Sequence, residues 1–231
     1  MKRELDGEAD GVIVEPYSSE ADVILPTESA KPVVLVGTGI ETDRLFTSVM
    51  TDHGKLGKSL ADAVIQGKAV KVGILSGNQS QLGMRQRLKS VKDKLEEAGI
   101  EISWILSEKE LDKKMRNVEY FAEQPVDTVI SLDNDDTEKA VDIILNDDRI
   151  SWKLYGEGRS EKLIYYLDKG TIQELAVPNE YYMGYQSIVL AAQNIRYYTD
   201  KTEQAEVEFY MVSKDNLYDE ETSRILFPAV R

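Results

Sequence analysis

The chain has 231 residues, with 28 Lys and Arg against 42 Asp and Glu, a formal net charge of −14, and 42% hydrophobic residues. That length allows one to two domains and a core that buries about 70–75% of the unfolded chain's surface. The acidic excess excludes a general binder of nucleic-acid phosphates or of anionic membrane surfaces, no apolar run approaches the ~18 residues of a membrane span, and the absence of Cys excludes disulfides, thiolate nucleophiles, zinc fingers and iron–sulfur clusters.

In chain order, Met1 to Gly7 carry charge but no apolar stretch, so no signal peptide is visible in this chain. Short β-branched runs then follow one another, each ending in turn residues. They are Val12–Val14, Pro32–Val36, Ser48–Thr51, Val70–Leu75, Ile102–Leu106, Val126–Leu132 and Trp152–Tyr155. Near-continuous apolar runs of this length read as buried parallel strands. Between them lie helical patterns. Residues 55–66 align Leu56, Leu60, Ala63 and Val64. Residues 82–98 align Leu88, Val91 and Leu95, with Gly99 as a C-cap. Residues 137–145 hold Ala140, Val141, Ile144 and Leu145, and residues 181–198 hold Met183, Ile188, Leu190, Ala191, Ile195 and Tyr198. Residues 199–205 read as a linker and Gln66 to Ala69 as a second break. Val207–Val212 reads as a strand, Ser213 to Tyr218 as a turn, and Asp219 as the cap of a short acidic helix stopped by Pro228. Strand–helix–strand repetition at this spacing predicts an α/β fold built from βαβ units.

Motifs for bound cofactors and catalysis fail one by one. Gly37-Thr-Gly39 after a strand invites a dinucleotide-binding reading, but the third glycine would fall at Thr42. No Walker loop exists, and Gly73 to Gly77 is not a nucleophile elbow. The run Asp133-Asn-Asp-Asp136 has the carboxylates of a calcium loop, yet Glu138 stands at the turn glycine and Ile144 at the bidentate Glu. It reads instead as a strand end that caps the next helix. His53 is the chain's single histidine, placed in a strand-to-helix turn, so neither a His-based triad nor a zinc cluster can form within one chain. No catalytic residue, cofactor or metal is expected.

An ordered set of segments resembles the type I periplasmic-binding-protein superfamily, in particular its ribose- and galactose-type solute receptors. The segments are Asp10-Gly-Val-Ile-Val-Glu-Pro16, Lys31-Pro-Val-Val-Leu-Val36, Met50-Thr-Asp-His-Gly-Lys-Leu-Gly57, Lys71-Val-Gly-Ile-Leu-Ser-Gly77, Gly83-Met-Arg-Gln-Arg-Leu-Lys-Ser-Val91, Val129-Ile-Ser-Leu-Asp-Asn134, Leu167-Asp-Lys-Gly170, Pro178-Asn-Glu-Tyr-Tyr-Met-Gly-Tyr185 and Val212-Ser-Lys-Asp-Asn-Leu-Tyr218. The resemblance implies two lobes of doubly wound parallel sheet, with ligand held in a cleft at the carboxyl ends of the strands. It assigns residues 1–68 plus 179–203 to the N-terminal lobe and 69–178 plus 204–231 to the C-terminal lobe.

The ligand residues it implies are Arg85, whose planar fork of donors suits vicinal oxygens, and Asn134, which offers a donor and an acceptor to a hydroxyl. Sugar receptors usually carry Asp-Arg at Gly37-Thr38, Asp at Gly158 and Gln at Pro178. Glu157, Arg159, Asp133, Asn78, Gln79 and Tyr17 lie close by to substitute, and Thr38 itself is kept among the expected ligand residues. The expected ligand is therefore a small polar solute of sugar-like chemistry. In the family pattern a first strand, its helix and a second strand precede Asp10, so the first lobe is expected to lack its opening β-α-β. The strand at Val12–Val14 would then have a bare apolar edge, and the lobe would be destabilised or completed by a homodimer. The implied function is a solute-binding receptor, extracytoplasmic, closing on its ligand by a hinge and docking on ABC-transporter membrane subunits or a membrane sensor. The alternative is the effector-binding domain of a lac-repressor-like regulator, which would need a helix-turn-helix. A Rossmann-type enzyme would need a nucleotide motif that the sequence does not supply.

Overall fold

The computed structural model describes residues 6–20, 31–43, 45–115, 119–197 and 202–227. The chain divides into two compact units: residues 1–52, 80–83 and 179–208 form the first, and residues 53–79, 84–178 and 209–231 the second.

The first unit holds four parallel strands, β1 (Val12–Val14), β2 (Val33–Val36), β3 (Thr47–Met50) and β9 (Gln204–Glu206), in the order β1-β2-β3-β9. Alternation along β2 sends neighbouring side chains to opposite faces. Val34 joins Val49 and Val207 under helix α7 (Glu180–Tyr197), whose Met183, Leu190 and Ala191 close that core. Leu35 turns the other way, onto Ile40, with Val14 and Phe46 against it. Among the described residues β1 pairs only with β2, and its Ile13 is 41% exposed.

The second unit holds six strands in the order β10-β8-β7-β6-β4-β5: β4 (Lys71–Leu75), β5 (Glu101–Leu106), β6 (Thr128–Ser131), β7 (Lys153–Glu157), β8 (Ile172–Pro178) and β10 (Phe209–Ser213). All pairings are parallel except β10 with β8. Both faces of this sheet are covered, as a parallel sheet requires. Val72, Ile74, Ile130, Tyr155 and Ala176 pack on helices α1 (His53–Gln66) and α2 (Leu82–Glu97) through Leu56, Leu60, Val64, Val91 and Leu95. Leu75, Val129, Leu154, Leu175 and Val177 face the other way, onto helices α5 (Asn134–Asn146) and α6 (Glu161–Lys169). Helices α3 (Glu108–Lys114) and α4 (Glu119–Glu123) bring Leu111 and Phe121 to the same core, where Phe121 meets Trp104 and Trp152 edge-on. Helix α8 (Glu220–Leu226) starts after Asp219, whose side chain makes no capping hydrogen bond.

The expected elements correspond to these strands and helices, with additions and shifts. Strand β8 and helices α3, α4 and α6 were not foreseen. Helix α1 belongs to the second unit, not to the lobe ending at residue 68, because its apolar stripe packs on Ile130, Tyr155 and Ala176. The expected linker is partly strand, since Gln204–Glu206 pairs with Ser48–Met50 of the first unit. Tyr198, residues 199–201, Pro228 and residues 1–5 lie outside the described residues.

Candidate functional site

Parallel strands place their carboxyl ends along one edge, and in each unit the loops at that edge carry the polar residues singled out above. In the second unit those loops are Ser76 to Gln79 after β4, Leu132-Asp133 after β6, and Gly158 to Ser160 after β7.

The loop after β6 is built as a helix cap. Asp133, in extended conformation, accepts the Asp136 amide at 2.8 Å through its side chain, and its carbonyl accepts the Thr137 amide at 3.0 Å. Burial pushes the Asp133 carboxyl above the usual carboxylate range. Asp136 is fully buried, accepts the Gly77 amide at 3.2 Å and pairs with Lys139 at 3.3 Å. Burial and the neighbouring Asp133 carboxylate outweigh that pairing and push its pKa to about 7.

Asn134 ties the next loop down. Its Oδ1 accepts the amides of Arg159 at 3.2 Å and Ser160 at 3.3 Å, and its Nδ2 donates to Glu138 at 3.3 Å. Between β7 and Arg159 stands Gly158 at φ +141°, where a Cβ would lie 2.6 Å from Asn134 Oδ1. This explains the absence of the Asp that sugar receptors carry there: the backbone conformation and the Asn134 contact both require glycine.

Glu157, at the end of β7, is buried against Arg87 of α2 at 3.0 Å. Arg87 also donates through Nε to His53 Nδ1 at 3.0 Å and through Nη1 to the Leu132 carbonyl at 2.5 Å. His53 opens α1 and accepts with Nδ1, which fixes that nitrogen as the unprotonated one. Arg87 was not among the expected site residues. Its signal lay in the spacing, for it falls at i−4 and i−8 from Val91 and Leu95 on an apolar stripe, where a charge must be paired.

Arg85, one half-turn away, is half-buried and donates to the Gln79 carbonyl at 3.3 Å. Asn78 and Arg159 are half-buried in the loops after β4 and β7. In this unit, then, Asn78, Gln79, Arg85, Asp133, Asn134 and Arg159 are half-buried at the strand ends, over Asp136, Glu157 and Arg87, which are buried and paired internally.

In the first unit, Tyr17 is 69% exposed in the loop after β1. That loop is anchored by the Ser19 amide on the Ser80 carbonyl at 2.8 Å and by the Glu41 amide on the Ser19 carbonyl at 2.9 Å. Thr38 is buried after β2, and its hydroxyl accepts the Gly83 amide at 2.9 Å. Gly37 before it sits at φ +77°, with Glu15 Oε1 3.1 Å from where a Cβ would be, so an Asp in its place would be strained. Thr51, after β3, has the one buried side-chain oxygen among the described residues without a hydrogen-bond partner. Its place at a strand's carboxyl end makes it a polar group that sequence reasoning missed.

A family model described as periplasmic binding protein domain matches residues 1–198. Among solved structures, the chain is similar to a carbohydrate transporter solute binding protein from Agrobacterium radiobacter in complex with D-arabinose. That match has a TM-score of 0.86 and 16% identity, and covers 97% of this chain and 81% of that one. It is also similar to the Caulobacter myo-inositol binding protein bound to myo-inositol (TM-score 0.83, 19% identity, 97% of this chain and 79% of that one). A third is GanP, a glucose-galactose binding protein from Geobacillus stearothermophilus (TM-score 0.80, 20% identity, 94% and 81%). At these identities the likeness establishes the fold, which is that of sugar-binding solute receptors of ABC transporters. No curated protein matches the chain.

Proposed function

The chain belongs to the periplasmic binding protein domain family, and from that premise we propose that it is a receptor for a small polar solute of sugar-like chemistry. The family and the solved relatives are binding proteins, not enzymes. The observation that carries the reading is the polar strand-end edge of the second unit. Arg85, Asn78 and Arg159 offer a guanidinium, an amide and a second guanidinium at the surface, and the Asp133–Asn134 cap and the Glu157–Arg87 pair hold the loops beneath them in place. Guanidinium and amide groups satisfy vicinal hydroxyls, which accept and donate at once. In the first unit Tyr17 offers an apolar ring face for a sugar, whereas Thr38 is buried with its hydroxyl on the Gly83 amide.

In this reading the two compact units act as lobes and ligand biases an open–closed equilibrium by its higher affinity for the closed form. The closed form then docks on the membrane subunits of an ABC transporter or on a membrane sensor, which places the protein outside the cytoplasm. Among the described residues no helix is long and apolar enough to cross a membrane.

The test is a thermal-shift screen of the full chain with D-arabinose, D-galactose, myo-inositol and small organic acids. A ligand at 100 times its Kd raises stability by roughly 2.7 kcal/mol. Arg85→Ala should abolish the shift without lowering the ligand-free melting temperature. A flat response across the panel refutes the receptor reading for this chain.

A further inference from the structure

Helix α7 is apolar on both faces. Its inward side buries Met183, Ser187, Leu190 and Ala191 against the first unit's sheet. The opposite side exposes Tyr181 at 70%, Tyr185 at 56% and Ile188 at 64%, and continues to Ala192. Glu180 and Arg196 are the only charges in its 18 residues. Helix α2 shows the usual alternative, turning Lys89, Asp93, Glu96 and Glu97 to solvent. A helix that is hydrophobic all round is normally buried on all sides. Contiguous aromatic surface of this kind marks an interaction site.

We propose that a second copy of this chain covers this face, with the two α7 helices antiparallel about a twofold axis at Ile188. Three features favour that occupant. In this register Glu180 of each copy falls opposite Arg196 of the other, whereas a parallel pairing would set like charges together. The same register sets Gly184 opposite Ala192. A Cβ at Gly184 would meet nothing within 4 Å, so the two helices can approach closely at that level. Tyr181, Tyr185 and Ile188 together expose on the order of 350 Å² per copy, taking 150–250 Å² for a whole aromatic side chain. That is a little under half of the ~800 Å² per partner of a stable interface, and most of the apolar share such interfaces carry.

The proposal stands apart from the ligand reading, because it is tested without ligand. Sedimentation equilibrium of the full chain at micromolar concentration should give twice the chain mass. Tyr185→Glu should return it to the monomer with unchanged circular dichroism. Glu180→Arg should weaken the dimer severalfold, and Arg196→Glu added to it should restore the dimer. Because the chain has no Cys, a single Ile188→Cys places one thiol per copy on the axis. It should oxidise to a disulfide-linked dimer, while Gln193→Cys, exposed but off the stripe, should not. A monomer at those concentrations, a dimer indifferent to Tyr185→Glu, or equal cross-linking at positions 188 and 193 would overturn the proposal.

Discussion

Arg87 carries a full charge into the second unit's interior, and three acceptors on three different segments receive it. Removing one member of a buried pair leaves the other uncompensated, at a cost of about 3–5 kcal/mol. Glu157→Leu should therefore destabilise the second unit by about that amount in urea, and Arg87→Met combined with it should recover much of the loss. Both tryptophans, Trp104 and Trp152, sit in that unit's core, so their fluorescence reports its unfolding directly. A loss under about 1 kcal/mol would show that the pair is incidental. Asp136 makes a second prediction. Its folded pKa of about 7 lies above the ordinary 3.8, so the folded protein holds a proton that the unfolded chain releases. The stability linked to that proton is fully present below pH ~4 and is lost as pH rises through ~7, by at most about 1.4 kcal/mol per pH unit. Melting temperatures from pH 4 to 8 should fall more steeply for the natural chain than for Asp136→Asn, and parallel curves would refute this. The residue identities at the strand ends were legible from the sequence, but their pairing was not. Glu157, His53 and Arg87 are 34 to 104 positions apart, and only the fold brings them to one point.

Between elements, the tightest approach of a glycine to another element's backbone among the described residues is α1 on α2. A Cβ on Gly57 would lie 2.6 Å from the Arg87 carbonyl oxygen, which is backbone and cannot rotate away. In an open helix Gly→Ala gains roughly 1 kcal/mol of propensity. Here the collision should reverse the sign, and Gly57→Ala should cost about 1–3 kcal/mol, with the helices forced apart beside Arg87. A stabilised variant in urea unfolding would contradict the contact. Strands with unbroken apolar runs, such as Val33–Val36 and Thr128–Ser131, were readable because both their faces are buried. Strand β8 was not, because it opens Ile-Gln-Glu with Gln173 exposed and Glu174 half-buried, so its first residues resemble a surface turn. Helix α6 was hidden similarly. Only Leu163 and Leu167 are buried in its nine residues, and Tyr165 is left outside.

At the scale of the whole molecule, neither unit is a continuous stretch of chain. The α/β class and two-part organisation follow from the βαβ spacing and the family resemblance, but the boundaries are set by packing. Helix α1 follows directly on a strand of the first unit, yet its stripe of Leu56, Leu60 and Val64 fits the second sheet. The pairing of β3 with β9 has a consequence for biogenesis. Met50 meets Glu206, and Val49 shares its core with Leu190 and Val207. A ribosome that has finished β3 must add roughly 150 more residues before β9 emerges, on the order of 10–30 s at ordinary elongation rates. Meanwhile five of the second sheet's six strands, β4 to β8, have been made and can pair, with only β10 still to come. Strands β1 to β3 thus wait with unpaired backbone and uncovered valines until α7 and β9 arrive. A nascent chain of this protein should need a holding partner longest at β1 to β3.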